Sequence, residues 1–185
     1  SMNTAATDPG ERPVSESFCR ELAAERHVAV LAGIVARTGD GRFANEAVAF
    51  SPDGVELVRY RKAQPFTASG EHLHYAAGVG HTIFQWQGVR IAPFICYDLR
   101  FPELFRPAAR AGAELLVVIA NWPEARSEHW VRLLQARAIE NQAFVLGVNR
   151  CGSDPIFRYD GRSSLFDPLG HCLLYTSDAA DDLTR

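Results

Sequence analysis

The 185-residue sequence lacks an excess of positive charge, a long apolar run and a paired-cysteine motif. Its net charge is -3, whereas a domain that binds nucleic acid usually carries an excess of basic residues. Its longest apolar stretches, such as ELLVVIA at 114–120, are too short to cross a bilayer. The first residues also lack a basic segment followed by an apolar one, which is the pattern of a secretory signal. We therefore expect a cytoplasmic protein that binds neither nucleic acid nor membranes.

The cysteines and histidines do not form a metal-binding pattern. The four cysteines are widely spaced, and they are Cys19, Cys96, Cys151 and Cys172. No C-x-x-C element and no Cys/His pair at zinc spacing occurs. His72 and His74 could ligate a metal from one face of a strand, but no third ligand accompanies them. We expect reduced thiols, no metal and no cofactor.

The arrangement of apolar segments predicts one α/β domain over residues 1–185, with residues 1–13 and 176–185 irregular. With 47% apolar and 22% charged residues, the composition is that of a globular protein. Continuously apolar strands, as at 114–121 and 143–149, alternate with helices, and this order is typical of α/β folds. Strand patterns on both sides of the turn SPDG, at 51–54, predict a β-hairpin.

The first predicted helix begins at Val14, in VSESFCRELAAERH. Val14, Phe18 and Leu22 recur every four residues, so we expect them to form its apolar face. Glu16 and Glu21 are expected to be solvated.

The stretch RIAPFICYDLRFPELFR, at 90–106, runs an apolar strand directly into Cys96. The carboxyl end of a strand is where α/β sheets place their sites. Backbone N–H groups at the start of the next helical turn favour a thiolate and can stabilise an oxyanion. A buried cysteine with a purely structural role is the alternative on spacing alone.

Two charged residues precede Cys96 in the chain. Lys62 lies at the end of a predicted strand, in YRKAQPF, and Glu71 follows Gly70 in GEHLHYAAG. Each could be a solvated surface charge. The functional alternative for Lys62 is an ammonium that steadies a thiolate or a tetrahedral intermediate.

Five segments taken together resemble the nitrilase superfamily of carbon–nitrogen hydrolases, in its ω-amidase-like branch. They are YRKAQPF, GEHLHYAAG, ICYDLRFPELFR, ANWP and QARAIENQAFVLGVNRCG. The resemblance extends from about Val14 to Gly170. It implies a four-layer α-β-β-α sandwich. It also implies a homodimer or higher homo-oligomer, formed through the helix after Cys96 and the helix near RAIEN.

The resemblance also implies site roles and a substrate class, namely small amides or esters. Cys96 matches the nucleophile, Lys62 the family's lysine and Glu71 its second glutamate. The backbone N–H of Tyr97 would stabilise the oxyanion together with Lys62. Asn121 and Trp122 match residues that line the substrate pocket.

The sequence departs from the family at both ends. The first strand and helix, with the principal glutamate of the family, have no counterpart, and neither do the C-terminal strands. We therefore expect a truncated domain in which Glu71 serves as the base. The rate of amide hydrolysis should fall more than that of ester hydrolysis, because an amine leaving group needs a proton. The alternative is an inactive remnant that binds small ligands or a partner.

Overall fold

The computed structural model describes residues 14–176, which form four layers. The layers are helix α1, a three-stranded sheet, a six-stranded sheet, and helices α3 and α4. The predicted α-β-β-α sandwich is confirmed. The helices are α1 (Val14–Arg26), α2 (Glu71–His74), α3 (Pro102–Arg110) and α4 (Ser127–Asn141). The strands are β1 (Val30–Arg37), β2 (Phe43–Phe50), β3 (Glu56–Arg61), β4 (Phe84–Trp86), β5 (Val89–Ile95), β6 (Leu115–Ala120), β7 (Phe144–Asn149), β8 (Cys151–Ser153), β9 (Arg158–Asp160), β10 (Ser164–Phe166) and β11 (Cys172–Tyr175).

The smaller sheet is antiparallel, with β2 between β1 and β3. Helix α1 covers one face of this sheet, where Ala23 packs with Ile34, Val48 and Phe50. The other face packs on the larger sheet, since Ala47 and Tyr60 belong to the main core. Strand β2 is therefore buried on both faces, which explains its apolar sequence.

The larger sheet has the strand order β11-β10-β7-β6-β5-β4, and β5, β6 and β7 are parallel. Helix α3 connects β5 to β6 and helix α4 connects β6 to β7, and both pack on the same core. The carboxyl ends of the three parallel strands therefore lie side by side. These ends lead into Cys96, Asn121 and Arg150, and this edge is where α/β sheets bind ligands.

Helix α1 forms as predicted, but its apolar stripe does not point inward. Val14 is 67% exposed and Phe18 is 61% exposed. Glu16, predicted to be solvated, is buried, so that prediction is wrong. The reason is an ion pair, because Arg59 of β3 donates from Nη2 to Glu16 Oε1 at 3.0 Å. Glu21 is exposed, as predicted.

The described part of the chain ends just after strand β11. Strand β11 pairs antiparallel with β10 at one edge of the larger sheet. No helix within residues 14–176 is long and apolar enough to cross a membrane. The predicted irregular segment 1–13, and nearly all of the segment 176–185, lie outside the described residues.

Candidate active site

Cys96 follows β5 directly and opens a five-residue 3-10 turn that ends at Arg100. Its backbone φ is 46°, in the left-handed region that residues other than glycine rarely adopt. The chain therefore turns sharply at the cysteine. Helix α3 begins only at Pro102, so a short turn follows the cysteine instead of a helix.

The surroundings of Cys96 raise the pKa of its thiol. Burial is the main cause, while the positive charge of Lys62 acts in the opposite direction. The negative charges of Glu71 and Asp98 raise the pKa, and a hydrogen bond from the backbone N–H of Asn121 lowers it. Burial thus outweighs the donors that we expected to favour a thiolate. Cys96 as a residue is partly exposed, and it packs against the main core.

Lys62 and Glu71 form a buried ion pair. Lys62 directly follows β3 and is the only lysine of the chain. Its Nζ donates to Glu71 Oε2 at 2.7 Å, and the two residues are 1% and 3% exposed. The alternative of two solvated surface charges is therefore wrong. Since an unpaired buried charge is costly, each side chain requires the other.

Glu71 begins the one-turn helix α2 and accepts two further hydrogen bonds. The backbone N–H of Phe66 donates to Oε2 at 2.6 Å, and Asn45 Nδ2 donates to Oε1 at 3.1 Å. One lone pair on Oε1 has no donor among these three contacts. Because the charges of Glu71 and Lys62 both influence Cys96, the structure brings the three predicted residues into one buried site.

The predicted pocket residues contribute in different ways. Asn121 is exposed and contacts Cys96 through its backbone N–H. Trp122 is buried, and its backbone N–H donates to Asn149 Oδ1 at 2.7 Å. Its ring packs in the main core against that of Trp130, and its role in a substrate pocket stays a prediction. Asn149 ends β7, and its amide also donates to the carbonyl of Trp122, a role that the sequence reading missed.

Tyr97 is the second residue of the turn that Cys96 opens. Its ring lies between those of Phe66 and Phe101, with ring centroids 4.9 Å and 5.3 Å away. The oxyanion role of its backbone N–H stays a prediction.

His72 and His74 lie on the one-turn helix α2, so their predicted placement on a strand is wrong. Both are exposed. Among residues 14–176, no group of three or more His, Cys, Asp or Glu side chains could hold a metal ion.

The sequence matches the model of the carbon–nitrogen hydrolase family over residues 3–183. The chain belongs to the carbon–nitrogen hydrolase family. It is 46% identical over 144 residues to "Omega-amidase YafV" of Yersinia enterocolitica, covering 77% of this chain and 55% of the relative. It is 38% identical over 159 residues to "2-oxoglutaramate amidase" of Bacillus subtilis (strain 168), covering 86% of this chain and 61% of that protein. These relatives place it in the ω-amidase-like branch of the nitrilase superfamily.

The fold of this carbon–nitrogen hydrolase is that of solved superfamily members. The structure resembles XC1258 of Xanthomonas campestris, described as a CN-hydrolase superfamily protein with an arsenic adduct in its active site. The TM-score is 0.84 at 37% identity, over 94% of this chain and 67% of that one. An amidase from Nesterenkonia sp. gives a TM-score of 0.80 at 28% identity, over 89% and 62% of the two chains. The chain spans 55% and 61% of the two curated relatives named above.

Proposed function

We propose that this carbon–nitrogen hydrolase cleaves small amides and esters through a thioester on Cys96. One observation carries the proposal, namely that a partly accessible cysteine at a strand end shares a buried site with the Lys62–Glu71 ion pair. A nucleophile, a cation for an oxyanion and a carboxylate for proton transfer are the groups that acyl transfer requires. The names of the two curated relatives point to ω-amides of dicarboxylic acids, such as 2-oxoglutaramate, as the first substrates to test.

The first half of the reaction forms the thioester. Glu71 takes the proton of the Cys96 thiol as Sγ bonds to the carbonyl carbon. Lys62 and the backbone N–H of Tyr97 stabilise the oxyanion that results. The oxyanion then collapses, the bond from carbon to the leaving group breaks, and the proton on Glu71 passes to the departing amine or alcohol.

The second half of the reaction releases the acid. Glu71 takes a proton from water as the water oxygen bonds to the thioester carbon, and the carbon–sulfur bond then breaks. Sγ recovers the proton, and the product leaves as a carboxylic acid. The raised pKa of Cys96 supports the need for a base, because the thiol form prevails at neutral pH.

We further propose that esters are cleaved faster than amides. Three donors already bind the Glu71 carboxylate, two of them at Oε2, which leaves it little room to take up a proton and hand it on. An amine leaves slowly without a proton, whereas the phenolate of an activated ester does not need one.

A parallel hydrolysis screen tests this function. The purified chain is assayed with short-chain p-nitrophenyl esters and with 2-oxoglutaramate, beside Cys96→Ala. We expect ester cleavage, weaker release of ammonia from the amide, and neither reaction in the variant. Absence of both reactions in the unmodified chain would support an inactive remnant that only binds ligands. Equal rates in the variant would show that Cys96 is not the nucleophile.

The oligomer is a separate proposal. We propose that α3 and α4, which form the outer layer next to the larger sheet, pair with the same helices of a second copy. Ile139 of α4 supports this, because it is 51% exposed on that layer. Sedimentation equilibrium of the chain beside Ile139→Glu checks it, and a monomer for the unmodified chain would contradict it.

A further inference from the structure

Asp98 is a fully buried carboxylate to which the proposed chemistry gives no role. It is the third residue of the turn that begins at Cys96, and it has no exposed surface. Burying a charged carboxylate is costly unless donors compensate it. The identity of its donors therefore shows what this residue holds in place.

Three donors converge on Asp98 from strands of two sheets and from the segment after β3. The backbone N–H of Ile95, which precedes Cys96, donates to Oδ2 at 3.0 Å. The backbone N–H of Gln64 donates to Oδ1 at 2.8 Å, and the hydroxyl of Tyr60 donates to Oδ2 at 2.9 Å. Ile95 ends β5 of the larger sheet, whereas Tyr60 belongs to β3 of the smaller sheet.

This network encloses both reactive segments. The hydrogen bond from Ile95 to Asp98 closes a ring that contains Cys96, whose left-handed backbone conformation is strained in a residue other than glycine. Such a conformation persists only where its surroundings hold it. On the other side, Tyr60 and Gln64 flank Lys62, and the Tyr60 oxygen also accepts the backbone N–H of Ala63 at 3.3 Å.

We propose that Asp98 is a positioning residue that fixes Cys96 against Lys62 by tying the end of β5 to the segment after β3. This inference rests on the proposed roles of Cys96 and Lys62. The Lys62 ammonium can act on the sulfur and on the oxyanion only from a fixed place, and the bond network of Asp98 supplies that place. A misplacement of about 1 Å can cost a reaction about a hundredfold.

A nearby charge without a positioning role predicts the opposite result. The negative charge of Asp98 raises the pKa of the Cys96 thiol. If only this charge mattered, its removal would make the thiol more acidic and more reactive. If Asp98 holds the geometry, its loss separates Cys96 from Lys62 and from the Asn121 N–H, and the thiol becomes less reactive. The sign of the change therefore distinguishes the two roles.

The test measures alkylation of Cys96 by iodoacetamide, followed by peptide mass spectrometry from about pH 6 to about pH 10. Asp98→Asn keeps the size of the side chain, but its amide nitrogen cannot accept an N–H bond. Tyr60→Phe removes one donor and leaves the carboxylate in place. Asp53→Asn, at an exposed turn residue, is the matched control.

We expect Asp98→Asn to slow alkylation by about tenfold and to shift its pH profile to higher pH. In the ester assay, we expect the variant to lower kcat and to change KM much less. Tyr60→Phe should shift both in the same direction by a smaller factor, and it carries the test if Asp98→Asn does not fold. Asp53→Asn should match the unmodified chain. Unchanged or faster alkylation in the folded variants would overturn the inference. Alkylation needs no turnover, so it gives this answer even if no substrate is hydrolysed.

Discussion

The Lys62 ammonium lies 2.7 Å from Glu71 Oε2, and both side chains are buried beside Cys96. The pair supplies a cation and a carboxylate at one place. The contact also constrains Glu71, because the oxygen that binds the ammonium is less open to a proton from the thiol or from water. The stability of the protein and the proposed chemistry therefore depend on the same contact.

Lys62→Met should destabilise the fold, because it leaves Glu71 buried without its ion-pair partner. Removal of one partner of a buried pair costs about 3–5 kcal/mol. Lys62→Met/Glu71→Leu should recover part of this loss without restoring hydrolysis. Urea denaturation measures both free energies of unfolding. A double variant with a lower free energy of unfolding than Lys62→Met would show that the two side chains do not stabilise each other.

Glu71→Gln should reduce amide hydrolysis by about 10²–10⁴-fold, the usual range for a lost general acid–base group. We expect a smaller loss for p-nitrophenyl esters, because their leaving group departs without a proton. Initial rates with both substrates check this. Glu25→Gln, at an exposed position of α1, serves as the control. Equal losses of activity with the two substrates would show that Glu71 has only a structural role and does not transfer a proton to the leaving group.

Lys62→Met should also move the alkylation profile of Cys96 to higher pH. Burial raises the pKa of the Cys96 thiol, and the positive charge of Lys62 lowers it. Removal of that charge should therefore raise the pKa of the thiol further. Iodoacetamide labelling of the folded variant as a function of pH provides the measurement. A profile shifted to lower pH would show that Lys62 does not act on the sulfur.

Asp98 should make the stability fall as the pH rises from about 4 to about 6. Burial raises the pKa of this carboxyl from 3.8 to about 6, although its hydrogen bonds act in the opposite direction. In that window the folded chain keeps a proton that the unfolded chain has released, so folding is favoured at the lower pH. Comparison of thermal unfolding with Asp98→Asn isolates this contribution. A difference between the two proteins that does not change with pH would contradict the raised pKa.

The sequence predicts an α/β fold and the strand ends because apolar runs and turns are local features, whereas the four layers were implied by the resemblance to the family. It predicts Cys96 at a strand end for the same reason, since ICYDLRFP combines a strand with a break. The burial of Glu16 could not be read from its helix. Its partner Arg59 lies 43 positions away in the chain, and pairing across elements is not a periodic signal.

In the site, too, the sequence predicts what lies within one short segment and not the contacts between distant segments. The Cys-Tyr-Asp element was visible as a motif, yet the donors of Asp98 come from Tyr60, Gln64 and Ile95, in segments of two sheets. Glu71 was predicted as a site residue because its segment resembles that of the family. Its three hydrogen bonds, from Lys62, Phe66 and Asn45, depend on the tertiary structure.

Trapping of the acyl-enzyme tests the central claim most directly. The chain is mixed with p-nitrophenyl acetate, quenched in acid within seconds and analysed by intact-mass and peptide mass spectrometry. The proposed mechanism predicts one added acetyl group on Cys96, which disappears as the substrate is exhausted and is absent from Cys96→Ala. Hydrolysis without any adduct on Cys96, or an equal adduct on another residue in Cys96→Ala, would contradict it.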